Sequence, residues 1–439
     1  MKMSDKKSIK LNFFLCIMIV ISFVSCSKKF GVSSTIKNDP SYMYAMIENP
    51  NVTLNELVKS LEDNKEFNVI SNKQEDNTLI MELTYKGVVY KPEIKIIEMD
   101  VPDSFTNVHG LGEEEFQKLQ STKNAIATKM DFISSNVVDA YHFQLKLLHT
   151  MAPKAVAVVD YSAYKILDGK WVASAVKSKF PPAPIYLASI FVISEDERIW
   201  LYTAGLRRIG SLEMEILTSD NGNYGIHSQL METLVSQVIT GQKLPKSGEA
   251  INYGKDIVLT WIPTNAALKD VKKDSMGSAK DRVNDIYKET AVLCAYLNEN
   301  DVKKKRISPI SAINDVMSRG TMYYISDAES ARMSGLAKER WEYPVEALKN
   351  SKYTVNMKFA IPYEVAHTRE TYNEHMWFDI KQINGDEVVG VLMNSPFYVT
   401  TMKLGDEVKL NKSQLSDWII YNDAIRITPD TAYKLGGDI

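Results

Sequence analysis

A basic stretch (Lys2, Lys6, Lys7, Lys10) runs into an apolar segment from Leu11 to Val24, broken only by Asn12 and Ser22 and ending in Phe23-Val24-Ser25-Cys26. This feature constrains the fold most, because it sets the compartment and decides which covalent supports remain. The apolar run falls short of the roughly 20 residues that a spanning helix needs, and its basic flank is that of an export signal. A small residue just before a Cys marks a lipoprotein signal, in which the acylated thiol becomes the new N-terminus. Ser25 fits, Val24 is acceptable, and Phe23 departs from the usual Leu. An ordinary secretory signal with a chance Cys, or an uncleaved anchor, is the competing reading. The expectation is a signal over 1–25 and a bacterial cell-envelope protein tied to a membrane by acyl chains, palmitate among them, on Cys26. Several such chains bury far more methylene than the single chain that binds only marginally.

Cys16 leaves with the signal and Cys26 is acylated, so Cys294 stands alone. An exported chain with one thiol has no internal disulfide, and its fold must rest on a hydrophobic core. Cys294 lies in the apolar run Ala291-Val292-Leu293-Cys294-Ala295-Tyr296-Leu297, which predicts a buried structural thiol rather than a nucleophile. Removing four Lys and one Asp with the signal leaves 52−4 basic against 55−1 acidic residues, a net charge near −6. That balance argues against a nucleic-acid partner.

Residues 26–40 are polar and without period, and read as a tether. Lys28 and Lys29 stand next to the anchor. A body follows over 41–345, with a subdivision near 160. Its first part suggests strands at Tyr42–Ile47, Phe67–Ile70, Leu79–Tyr85 and Val88–Met99. Thr53 with Glu56 forms a capping box ahead of a helix. A long helix is expected over 113–150, its stripe running through Met130, Ile133, Val137, Tyr141, Leu145 and Leu148, then a strand at 155–159. The order fits a ferredoxin-like layer. Further on, Ile185–Ile193 reads as a buried strand. His227, Leu230, Met231, Leu234, Val235, Val238 and Ile239 share one helix face. Lys303-Lys304-Lys305-Arg306 reads as a solvated loop, with a membrane-surface role as the sharper alternative. From about 352 the texture turns strand-rich, with turns at Gly385, Asn394-Ser395-Pro396 and Gly405-Asp406. The fold class is thus α+β, a large mixed body with a small β-rich C-terminal module over 346–439.

The tail carries Glu374-His375-Met376-Trp377-Phe378, Gly390-Val391-Leu392-Met393-Asn394-Ser395-Pro396-Phe397-Tyr398-Val399, Lys403-Leu404-Gly405-Asp406-Glu407-Val408 and Leu415-Ser416-Asp417-Trp418-Ile419. Four blocks in this order resemble the YegJ-like bacterial domain of unknown function, with Gly436-Gly437 as counterpart of its closing Gly-Gly. The body, through Trp200-Leu201-Tyr202-Thr203-Ala204-Gly205-Leu206-Arg207-Arg208-Ile209-Gly210 and Glu213-Met214-Glu215-Ile216, is similar to the uncharacterised domain that often precedes it. That family often has His at the positions of Tyr202 and Ala204 and Pro at Leu212, and this chain has none of them. The resemblance implies architecture and localisation, and no activity.

No Walker A loop, HExxH, GxSxG, dinucleotide fingerprint or EF-hand loop is present. His142 and His149, seven apart on one helix, make a poor metal pair, and neither a metal nor a cofactor is expected. Arg207, Glu213, Glu215 and His227 are weak catalytic candidates. The two carboxylates alternate along a strand, a placement equally suited to acid–base work and to salt bridges with Arg207 or Arg208. His227 sits in an apolar stripe, as a core histidine does. In the tail, Trp377, Tyr398, Asp417 and Trp418 are weak binding candidates, against core packing as the plainer reading. The leading expectation is an envelope binding protein with a protein or cell-wall partner. A hydrolase around Arg207, Glu213 and Glu215 is the alternative.

Overall fold

The computed structural model describes residues 30–438, apart from 133–135, 196–197, 255–256, 272, 274–275, 283–286, 288, 319–325, 365–369 and 423–424. The export signal, Cys26, Lys28, Lys29 and Ile133 lie outside the described residues. The described chain is α+β, built on three sheets.

In the first sheet, strand Ser41–Ile47 lies between Asn124–Met130 and Ala157–Asp160, and Glu93–Glu98 flanks Asn124–Met130, all antiparallel. With helix Leu54–Glu62 after the first strand and Val137–Met151 before the last, these strands make a βαββαβ layer, the expected ferredoxin-like core. Asn68–Glu75, Thr78–Tyr85 and Val88–Tyr90 widen it on one side, and Lys165–Asp168 with Asn107–His109 on the other. The capping box forms as expected: Glu56 N–H donates to Thr53 Oγ1 and Thr53 N–H to Glu56 Oε2, turning Leu57 and Leu61 into the core.

Within this layer two expectations need correction. The long helix over 113–150 is helix Glu113–Ser121, strand Asn124–Met130 and helix Val137–Met151. Residues 124–130 hydrogen-bond between two strands, a tertiary pairing that outweighs the helical spacing of their apolar positions. The expected strand Val88–Met99 is interrupted between Tyr90 and Glu93, where Pro92 has no N–H to give a ladder.

The second sheet runs Ser189–Glu195, Arg198–Ala204, Glu213–Asp220, Thr290–Tyr296, Ile257–Pro263, Ile251–Gly254, with helix Tyr224–Ile239 packed on it. The change of sheet therefore comes after Asp168, beyond the expected point near 160. All seven residues of the His227 face are buried, and so is Cys294, whose thiol burial pushes up to about 12. Both body sheets feed one core cluster. Residues 30–39 are no loose tether. They are hydrogen-bonded along their length, with Ile36 N–H to Gly210 O (3.0 Å), Asp39 N–H to Arg207 O (3.1 Å) and an isolated bridge from Thr35 to Ser211.

The third sheet has the order Glu407–Asn411, Glu387–Leu392, Thr371–Asn384, Thr354–Glu364, Leu415–Tyr421, Arg426–Ile427. Its core reaches upstream to Ala337 on helix Asp327–Glu339, Ala347 on helix Glu342–Leu348, and Trp341 between them. Alternation assigns its two faces: Met357, Phe359, Met376, Phe378 and Trp418 are buried beneath those helices, while Lys358 and Trp377, opposite one another in register, look the other way.

Candidate functional site

The catalytic candidates of the body do not share a site. Glu213 is fully enclosed. One carboxylate oxygen takes the N–H groups of Gly205, Leu206 and Arg207 (2.9, 2.9 and 3.2 Å), and the other takes the Thr203 hydroxyl (2.7 Å). It pegs the turn after strand Arg198–Ala204, although burial pushes its pKa up against those hydrogen bonds. Glu215 accepts from Trp200 Nε1 (2.8 Å), pairs with Arg282 (2.7 Å) and bonds Thr290. Arg207 goes to Asp39 (2.7 Å), and the guanidinium of Arg208 grips Asp160. Neither arginine forms the side-chain pair with Glu213 or Glu215 that the spacing allowed. His227 is held between Ser219 Oγ and Asn314 Oδ1 (both 2.8 Å), and burial lowers its pKa. Arg208, Glu213, Glu215 and His227 are all buried, so the carboxylates serve as backbone and side-chain anchors. His142 is likewise internal, bonded to Ala175 O (3.1 Å). Among the described residues no group of three His, Cys, Asp or Glu could hold a metal ion.

The C-terminal module carries a groove of about 600 Å³. Lys358, His375 and Trp377 form its floor on the polar face of the third sheet. Helix Asp327–Glu339 contributes Asp327, Ser330 and Met333 to one wall, and Asn394, Phe397 and Tyr398 form the other. Glu374 builds that second wall: its carboxylate accepts the N–H groups of Phe397 (2.7 Å), Tyr398 (2.8 Å) and Val399 (2.9 Å). Burial resists ionisation, but the three donors outweigh it and hold the carboxyl below its ordinary range. Asn394 Oδ1 takes Trp377 N–H (2.9 Å), tying the loop to the floor. The peg leaves Phe397 72% and Tyr398 58% exposed on the loop after strand Glu387–Leu392, two large aromatics side by side at the surface. Tyr398 stacks on Tyr363, centroids 4.9 Å apart and planes at 8°.

The floor is charged. Lys358 Nζ lies 5.6 Å from the centre of the Trp377 ring, a cation–π distance. Burial lowers its pKa, and burial with the nearby lysine lowers that of His375. Asp417 faces Lys358 across the adjacent strand, and burial pushes its carboxyl up to about 6. Among the described residues the Lys358 ammonium has no hydrogen-bond or ion-pair partner. Of the four tail candidates, Trp377 and Tyr398 line this groove, Asp417 lies beside its floor, and Trp418 is on the opposite face in the core. Sequence reasoning missed Lys358, Tyr363 and the role of Glu374. Only the register reveals them.

The Asp417 shift has a measurable consequence. Below about pH 4 the carboxyl is protonated in folded and unfolded chains alike. Between about 4 and 6 the unfolded chain ionises while the folded one keeps its proton, so stability falls as pH rises. A loss on the order of 2–3 kcal/mol is expected across that window, and Asp417→Asn should flatten it in urea unfolding curves taken from pH 4 to 7. An unchanged slope in the variant would assign the dependence to other groups.

Three family models match the chain: "Protein of unknown function (DUF4026) N-terminal" over residues 41–182, "Protein of unknown function (DUF4026) C-terminal" over 190–294, and "Uncharacterized protein conserved in bacteria (DUF2314)" over 334–431. No curated protein and no solved structure matches it. The first two matches meet where the chain passes from the first sheet to the second. The third spans the groove apart from Asp327, Ser330 and Met333. Part by part, the chain is thus similar to three uncharacterised domains: the N- and C-terminal parts of DUF4026, then DUF2314.

Proposed function

We propose that this protein is an envelope lipoprotein, anchored through Cys26 outside the cytoplasm, whose C-terminal module binds an acidic peptide segment of an envelope partner. The YegJ-like resemblance of the tail falls on the blocks that build the groove and belongs to this reading. One observation carries it: the Lys358 ammonium, which has no hydrogen-bond or ion-pair contact among the described residues, set over Trp377 at the bottom of an aromatic-walled groove with Asp417 on the adjacent strand. Exposed Phe397 and Tyr398 offer apolar contact at low conformational cost, and Lys358 supplies a charge for a carboxylate. Among the described residues no helix is long and apolar enough to cross a membrane, so in this reading attachment falls to the acylated Cys26.

The test uses the full mature chain on a panel of short peptides that combine Glu or Asp with Leu or Phe. Lysine-substituted peptides and soluble cell-wall glycan fragments serve as comparators. Acidic peptides should bind, and both Trp377→Ala and Lys358→Met should weaken them at least tenfold, about 1.4 kcal/mol. Binding only to glycans, or peptide binding that ignores both substitutions, would overturn the assignment.

A further inference from the structure

The segment that follows the proposed anchor is seated on the body, which fixes the face that meets the membrane. Gly31 N–H donates to Ser247 O (2.9 Å), Ser247 N–H to Val32 O (2.9 Å) and Ser34 Oγ to Leu244 O (2.7 Å). The Phe30 ring lies against Gly248, where a Cβ would stand 1.9 Å from its Cδ1 and where φ is +79°, so glycine is required on both counts. Phe30 also packs on the cluster holding Tyr296, Ile307 and Val302.

Four residue steps separate Cys26 from Phe30. Fully extended they span at most about 14 Å, little more than the screening length of roughly 8–10 Å near physiological salt. A chain acylated on Cys26 therefore cannot turn this face away from the headgroups.

The face carries the basic run. Lys305 Nζ lies 5.2 Å from the centre of the Phe30 ring, and Lys303, Lys304, Lys305 and Arg306 are all exposed. Asp301 is taken by Arg306 (2.5 Å), and Glu299 lies 3.9 Å from Lys303. Among the described residues Lys304 and Lys305 have no carboxylate partner. Leu297, just ahead of helix Glu299–Lys304, is 51% exposed. In a chain of net charge −3 this is a local concentration of cations, with Lys28 and Lys29 next to it in sequence.

We infer that the face formed by Phe30, Leu297 and Lys303–Lys305 rests on an anionic phospholipid surface and orients the anchored protein. This rests on the lipid-anchor reading. The charges add an attraction that the acyl chains do not supply, roughly fivefold per basic side chain near such a surface.

The experiment uses the mature chain from residue 26 with Cys26→Ser, which keeps every described element and removes the acyl contribution. The probes are vesicles of phosphatidylcholine alone and of phosphatidylcholine with phosphatidylglycerol, sedimented at low and high salt. Binding is expected only with phosphatidylglycerol, should vanish at high salt, and should fall roughly a hundredfold in Lys303→Glu/Lys304→Glu/Lys305→Glu. A control of equal charge change elsewhere, Lys349→Glu/Lys381→Glu/Lys409→Glu, should leave it within about twofold, since screened distant charges contribute little. No binding, or equal loss in the two triple variants, overturns the inference. The N-terminal mass of the exported wild type reports the anchor separately. An acylated chain without charge-dependent binding defeats the orienting face alone, and an unacylated chain defeats the anchor reading.

Discussion

Replacing Arg208 by methionine is expected to destabilise the body by about 3–5 kcal/mol, a large part of the 5–15 kcal/mol that holds a typical domain together. The guanidinium is 1% exposed and the Asp160 carboxylate 0%. Two nitrogens meet two oxygens at 3.0 and 2.9 Å, and the remaining contacts go to Ser41 Oγ (3.1 Å) and Leu187 O. Phe132 and Tyr141 cover it, ring centres 5.5 and 5.2 Å away. Ser41 and Asp160 belong to the first sheet, and Arg208 to the turn between two strands of the second. The pair therefore staples the two halves of the body. Methionine fills similar volume but leaves a carboxylate in a dry interior where, among the described residues, the Ala163 N–H (3.2 Å) is its remaining hydrogen bond. Lys165 is the nearest substitute, yet its ammonium is already spent on the carbonyls of Ile185, Tyr186 and Ala188 (3.1, 3.1 and 2.7 Å). Arg208→Met/Asp160→Asn should recover much of the loss, because it removes both charges. Chemical unfolding of the three chains measures this. If the single variant is as stable as wild type, the pair is not what joins the two halves.

What the sequence made legible follows from the range of the interaction concerned. The Thr53–Glu56 box lies within one helical turn and formed as read. The His227 stripe is a single helix face and is buried throughout. The strand Asn124–Met130 was missed because its identity comes from neighbours about 80 residues before it and 30 residues before it, Ser41–Ile47 and Glu93–Glu98. Nothing local distinguishes it from a helix start. The same holds for the sites. Glu213 looked like an acid–base candidate because its carboxylate is visible in the sequence, whereas the three N–H groups that consume it are not. Glu374 was visible only as part of a block, since its partners lie 23 to 25 residues further on. Trp377 and Tyr398 were nominated as aromatics, but the ammonium that joins them in the groove comes from Lys358 on a neighbouring strand.

Trp418→Ala is expected to cost about 3–5 kcal/mol and to unfold the C-terminal module ahead of the body. The indole is fully buried, donates its N–H to Ala337 O (3.1 Å) and stacks near Tyr343 (6.4 Å). It is therefore the wedge between the third sheet and its two helices, and alanine leaves a void that strands and helices cannot both collapse into. Helix Asp327–Glu339 would loosen with it. That helix also carries Arg332, which meets Asp430 (3.3 Å), while Asp430 takes the Ala183 N–H of the body (3.3 Å). The loss should therefore appear as a separate early transition, with the module's junction to the body opening as it melts. Trp377→Ala supplies the contrast from the other face of the same sheet. Its ring is partly exposed and lies 5.6 Å from the Lys358 ammonium, so its removal should cost about 1 kcal/mol or less while emptying the groove of its floor. One tryptophan is packed in the core and the other lines the groove, a division set by the alternation that puts Trp418 opposite Met357 and Trp377 opposite Lys358. Trp377→Ala melting the module while Trp418→Ala spares it would reverse that assignment of faces, and with it the case for a binding groove.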